Sequence, residues 1–142
     1  MTADTKTDPI QAGQAPVTGG VAPYLMVDGA IKAADFYIRA FGAEDVARIP
    51  PDDKGRTMHC HVRVNGGSLM VCDFYPEHGQ PYEKPQAFTL HLQVDDFDAW
   101  WNRAIGAGAT SEMAPHDAFW GDRYGILRDP FGVRWSIGAH KR

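Results

Sequence analysis

The sequence predicts an α+β fold in which two βαβββ modules form a curved mixed sheet around a cleft, with the helices on the outer face. Three observations carry this reading. Val27-Asp28 leads into an amphipathic segment ending at Phe41-Gly42-Ala43, and Val94-Asp95-Asp96 leads into another ending at Ala107-Gly108-Ala109. A tight turn at Asn65-Gly66-Gly67 recurs as Asp129-Pro130-Phe131-Gly132. These landmarks repeat at an offset of roughly 66 residues, the mark of a duplicated supersecondary unit. A duplicated half-domain closes around a shared pocket, so function is sought among the side chains that point into it.

Val21 to Asp28 reads as a strand, and Asp28 can cap a helix whose Ile31, Ala34, Ile38 and Phe41 fall on one stripe. Gly42 ends that helix. Glu44 to Ile49 is a second strand, residues 50–55 are a Pro- and Asp-rich loop, and Met58 to Val64 alternates as a half-buried strand should. Asn65-Gly66 turns the chain back into Gly67 to Phe74. After a polar linker from Pro76 to Pro85, Phe88 to Val94 alternates again, and Asp95 or Asp96 caps a helix showing Phe97, Trp101, Ala104 and Gly108 on one side. Thr110 to Met113, Tyr124 to Leu127 and Val133 to Ala139 complete the second module.

With 142 residues, 44% hydrophobic and 23% charged, the chain suits one domain, expected over residues 21–142 with modules at about 21–75 and 86–140. Residues 1–20, rich in Thr, Gln, Gly and Pro, read as a flexible tail that is ordered only if docked. A net charge of −4 and the lack of a basic run exclude the electrostatic footprint of a nucleic-acid or anionic-membrane partner. No stretch is long and apolar enough to span a bilayer, and the N-terminus lacks the basic-then-apolar order of a signal peptide, so a cytoplasmic location is expected. Cys60 and Cys72 fall on opposite faces of the predicted hairpin, which argues against a disulfide.

A two-residue loop at Asn65-Gly66 fixes the pairing outward from Val64 opposite Gly67. Cys60 then faces Val71 and Val62 faces Leu69 on one side of the sheet; His59 faces Cys72, His61 faces Met70 and Arg63 faces Ser68 on the other. The same split gives Phe88, Leu90, Leu92 and Val94 an apolar face and leaves Thr89, His91 and Gln93 opposite. Leu25 and Val27 point inward, with Ala22, Tyr24 and Met26 on the polar side, where Ser136 also belongs by parity.

The paired modules, Phe36-Tyr37 in the first helix and the closing Asp129-Pro130-Phe131-Gly132 resemble the vicinal oxygen chelate superfamily, the glyoxalase and bleomycin-resistance fold, over Val21 to His140. Pro23-Tyr24-Leu25, Ala40-Phe41-Gly42-Ala43 and Phe119-Trp120-Gly121-Asp122-Arg123-Tyr124-Gly125 are similar to its PhnB-like branch. The resemblance implies a homodimer. It also implies metal ligands on the first and last strands of each module, where the matching positions hold Ala22, Met70, Thr89 and Ser136 in place of His, Gln or Glu. No cofactor is therefore expected.

Two functional classes stay open at this point. The first is a binding protein that holds a small organic molecule with Tyr24, Met70, Thr89, Gln93, Phe119, Trp120, Tyr124 and Ser136, the aromatics being suited to stacking on a flat ligand. The second is a lyase, isomerase or dioxygenase using a relocated divalent transition metal on His59, His61 and His91, two of which share a strand face at i, i+2. His59, His61, Cys72 and Met70 also match the ligand types of a mononuclear copper site. Cys72 opposite His59 is a candidate thiolate nucleophile, and His91 a candidate general base.

Overall fold

The computed structural model describes residues 15–141, so most of the N-terminal tail lies outside the described residues. They form two compact units, residues 15–38 with 42–83 and residues 39–41 with 84–141.

The first unit runs β1 (Tyr24–Val27), α1 (Ala30–Phe41, less its last turn), β2 (Glu44–Arg48), β3 (Cys60–Val64), β4 (Gly67–Asp73) and a 3₁₀ turn (Pro76–His78). Its sheet has the order β1-β4-β3-β2, with β1 parallel to β4 and the remaining pairs antiparallel. The hairpin register is as expected from Cys60 opposite Val71 to Val64 opposite Gly67. Asn65 at φ 52° and Gly66 at φ 86° supply the two left-handed residues that a type I′ turn needs. However, β3 starts at Cys60, so His59 stands before the ladder and does not pair with Cys72.

Burial on α1 follows Ala30, Ala33, Ala34, Phe36, Tyr37, Ala40 and Phe41, while Ile31 and Ile38 lie only at the edge of the stripe. The buried side thus combines four alanines with the rings of Phe36, Tyr37 and Phe41. Asp28 does not cap this helix. The N-cap is Gly29 at φ 105°, and Asp73, at the end of β4, accepts from the Gly29 and Ala30 amides at 2.8 and 3.2 Å.

The second unit runs β5 (Leu90–Val94), α2 (Phe97–Ala107), β6 (Thr110–Asp117), β7 (Asp122–Arg128) and β8 (Arg134–His140), in the sheet order β5-β8-β7-β6. Asp96 caps α2 by accepting from the Ala99 amide, and Phe97, Trp101 and Ala104 are buried as expected. Ala87 at φ 67° interrupts the chain ahead of β5, which leaves Phe88 exposed outside the strand. Edge strand β6 is twice its expected length; its polar run hides a strand that is exposed along most of its residues, bulged twice and tolerant of Pro115. Gly125 is required where it stands, since a Cβ there would lie 2.7 Å from the Trp101 ring. Among the described residues no helix is long and apolar enough to cross a membrane.

Candidate functional site

In the first unit the sheet face carrying His59, His61 and Met70 is partly covered by the chain ahead of β1. Thr18 is tied to Ser68 twice: its amide donates to Ser68 Oγ at 2.8 Å and its carbonyl accepts from the Ser68 amide at 3.0 Å. Thr18 Oγ1 donates to the Gly66 carbonyl, and the Pro16 carbonyl accepts from Arg63. His61 is 1% exposed, its Nε2 lying 2.7 Å from Ser68 Oγ. Burial, then the nearby Arg63 and His59, lowers the His61 pKa, which favours the neutral ring beside Ser68.

Tyr24 Oη lies 2.8 Å from His59 Nδ1 and 3.3 Å from the Met58 carbonyl. Burial, with smaller contributions from Cys72 and Cys60, raises the Tyr24 pKa, so the phenol stays protonated and can donate to the Met58 carbonyl. Burial lowers the pKa of His59, which favours its neutral ring beside the phenol. Cys72 is no thiolate: burial and the neighbouring Asp73 push its pKa up, and burial pushes Cys60 up to about 12. Both thiols are free.

The second unit holds a longer polar chain on its sheet. Asp122 Oδ2 accepts from Gln93 Nε2 at 3.2 Å, which turns Gln93 Oε1 toward His91 Nε2 at 2.8 Å. His91 Nε2 thus donates, and Nδ1, 2.7 Å from Ser136 Oγ, accepts the serine proton in the neutral ring. Gly138 makes the room: a Cβ there would lie 3.0 Å from both Gln93 Oε1 and His91 Cε1. At Asp122, desolvation is outweighed by hydrogen bonds from Gln93, His140 and Trp120, so its carboxyl is held below the ordinary range. Aromatic rings line the same side. Tyr124 stacks on His91 at 6.1 Å and 23°, Trp120 meets Tyr124 edge-on at 5.2 Å, and Phe119 meets Trp120 at 5.1 Å. Trp120 is half exposed and Phe119 almost wholly so.

The structure thus joins Gln93, Ser136, Tyr124 and Trp120 around His91, and joins Tyr24 to His59, while Thr89 Oγ1 is held by Arg134 Nε at 2.8 Å. Asp122 and Thr18 were not singled out from sequence as site residues. Asp122 was legible only as part of the Trp120-Gly121-Asp122-Arg123 run, and the docking of Thr18 has no local signature.

The register also resolves which residues stand where the family places metal ligands. Side by side on the first and last strands are Tyr24 with Met70 and His91 with Ser136, whereas Ala22 and Thr89 precede their strands. A phenol, a thioether, one imidazole and a hydroxyl are not the imidazole and carboxylate set that a divalent ion takes, and both His91 nitrogens are already engaged. Among the described residues no three His, Cys, Asp or Glu side chains are grouped to hold a metal ion. The residues present do not fit that group.

Comparison with known proteins agrees with this fold. An uncharacterised protein of Mycobacterium bovis is 42% identical over 132 residues, 89% of this chain and 86% of its own length. The crystal structure of protein PA1353 from Pseudomonas aeruginosa superposes with a TM-score of 0.73 at 28% identity, over 88% of this chain and all of that one. The PhnB protein of Bacillus cereus shares the fold at 22% identity, with a TM-score of 0.66 over 85% of this chain and 99% of that one. The sequence profile of the Glyoxalase/Bleomycin resistance protein/Dioxygenase superfamily matches residues 18–137, and the chain belongs to that superfamily.

Proposed function

We propose that the protein binds a small, flat organic molecule, cationic or rich in hydrogen-bond donors, without the divalent metal of the superfamily's enzymes. The observation that carries this reading is the row Trp120, Tyr124 and His91 beside the Asp122 carboxylate. Exposed rings offer a stacking surface, and an ionised carboxylate held below its usual pKa offers a charge partner. Gln93 and Ser136 hold His91 in one orientation, so the polar floor is preorganised for a ligand. The protein's net charge of −4 favours a cation over an anion as the molecule met on this face. A cytoplasmic homodimer belongs to the same proposal, with sedimentation velocity as the check on its stoichiometry.

Calorimetric titration with bleomycin and a panel of flat cationic compounds tests the proposal. The expected result is saturable binding that quenches tryptophan fluorescence and weakens at least tenfold in Trp120→Ala, in line with stacking worth about 1–3 kcal/mol. Silence across the panel, or binding that Trp120→Ala leaves unchanged, overturns it.

A further inference from the structure

A second pocket of the same unit has a different charge. The connector at Lys84, Pro85, Gln86, Ala87 and Phe88 and the start and end of the β7–β8 turn, at Arg128, Gly132 and Arg134, enclose about 270 Å³. Arg128 and Arg134 are directly opposed across the β7–β8 ladder. Like charges in that arrangement are destabilising unless something neutralises them. Glu112 is bonded to only one of them: Arg128 holds it through Nε and Nη2 and the Gly132 carbonyl through Nη1, while Arg134 acts on it only through space. Arg134 is pinned by its Nε to Thr89, which leaves its two terminal nitrogens as an oriented fork, and Lys84 has no ion pair among the described residues. Three cations face two carboxylates, Glu112 and the buried Asp129 beside Arg128, which still leaves a local excess of positive charge in a protein that is acidic as a whole.

We propose that this pocket takes the anionic head, carboxylate or phosphate, of a small organic molecule. The planar guanidinium fork of Arg134 suits either group bidentately, and Lys84 supplies a second, mobile charge. Pro85 and the partly exposed Phe88 give the rim an apolar wall for the body that carries the anion. The Ala87 turn at φ 67° and the Gly132 turn at φ 89° bring the two walls of the pocket together, with Pro85 3.6 Å from where a Gly132 Cβ would stand. The pocket does not depend on the aromatic face proposed above.

Titration of the full chain with inorganic phosphate and, separately, with benzoate, followed by ¹H–¹⁵N correlation spectra, tests the inference. Saturable shifts at the amides of Gln86, Ala87 and Gly132 are expected. Arg134→Gln should weaken binding at least tenfold, and Arg134→Lys should recover only part of it because an ammonium lacks the fork. Lys84→Gln, a change on the exposed connector, should weaken binding several-fold and serves if Arg134→Gln fails to fold. Saturation by phosphate alone points to a phosphomonoester, and by benzoate alone to a carboxylic acid. No saturable shift with either anion, or equal affinity in wild type and Lys84→Gln, overturns the inference.

Discussion

Replacing Asp73 tests the claim that one buried carboxylate ties the first module together. Its side chain is 3% exposed and accepts three backbone N–H groups, from Gly29 and Ala30 on Oδ1 and from Thr57 on Oδ2 at 2.8 Å. Thr57 and Ala30 are themselves buried, so water cannot replace the lost acceptor. In Asp73→Ala the helix loses its cap, about 0.5–2 kcal/mol, and the Thr57 amide is stranded at about 1–3 kcal/mol. The sum of about 1.5–5 kcal/mol is a large share of an ordinary domain's 5–15 kcal/mol. For a chain of this size that lowers Tm by roughly 5–15 °C. Asp73→Asn separates the two contributions: its carbonyl oxygen can still cap α1, but its amide turns a donor toward the Thr57 N–H, so it should fall between wild type and Asp73→Ala. Thermal melts followed by circular dichroism measure all three. An Asp73→Ala protein melting within about 2 °C of wild type, or Asp73→Asn as unstable as Asp73→Ala, would refute the reasoning.

Other substitutions and conditions give further outcomes. Gly125→Ala forces a Cβ to 2.7 Å from the Trp101 ring, so it should destabilise by about 1–3 kcal/mol and alter near-ultraviolet circular dichroism; unchanged melting and spectra would mean that the ring moves freely. Burial lowers the pKa values of His59 and His61, so the unfolded chain takes up protons first as pH falls through about 6.5. Urea midpoints should therefore hold above that pH and decline between about 6.5 and 5, above the window from 4.5 to about 2 in which stability tied to Glu77 is lost; a midpoint that rises on acidification contradicts the assignment. With Cys60 pushed to about 12 and Cys72 also raised, both thiols of the native protein should react sluggishly with a disulfide reagent at pH 8 and promptly in denaturant.

The parts of the fold legible in the sequence are those set by local rules. The β3–β4 register followed from period-two alternation and a turn whose two residues both take positive φ, and Gly42 and Asp96 marked helix ends by local capping chemistry. What escaped depends on distant partners. The nearest acid, Asp28, was expected to cap α1, but the acceptor arrives from Asp73, 44 residues beyond Gly29 in the chain. The buried stripe of α1 takes Ala30, Ala33, Phe36, Tyr37 and Ala40 with the expected Ala34 and Phe41, and leaves Ile31 and Ile38 at its edge. The candidate site divides the same way. Strand parity put Gln93, His91 and Ser136 on one face, whereas the role of Asp122 and the docking of Thr18 on Ser68 arise from segments that no periodicity links.

Elemental analysis of protein purified without chelator addresses the central claim most directly. With Tyr24–Met70 and His91–Ser136 at the family's ligand positions, the predicted result is no stoichiometric transition metal, and no calorimetric uptake of Mn²⁺, Fe²⁺, Ni²⁺ or Zn²⁺ at these residues. One equivalent of such a metal per chain, lost in His91→Ala or His61→Ala, would contradict the account.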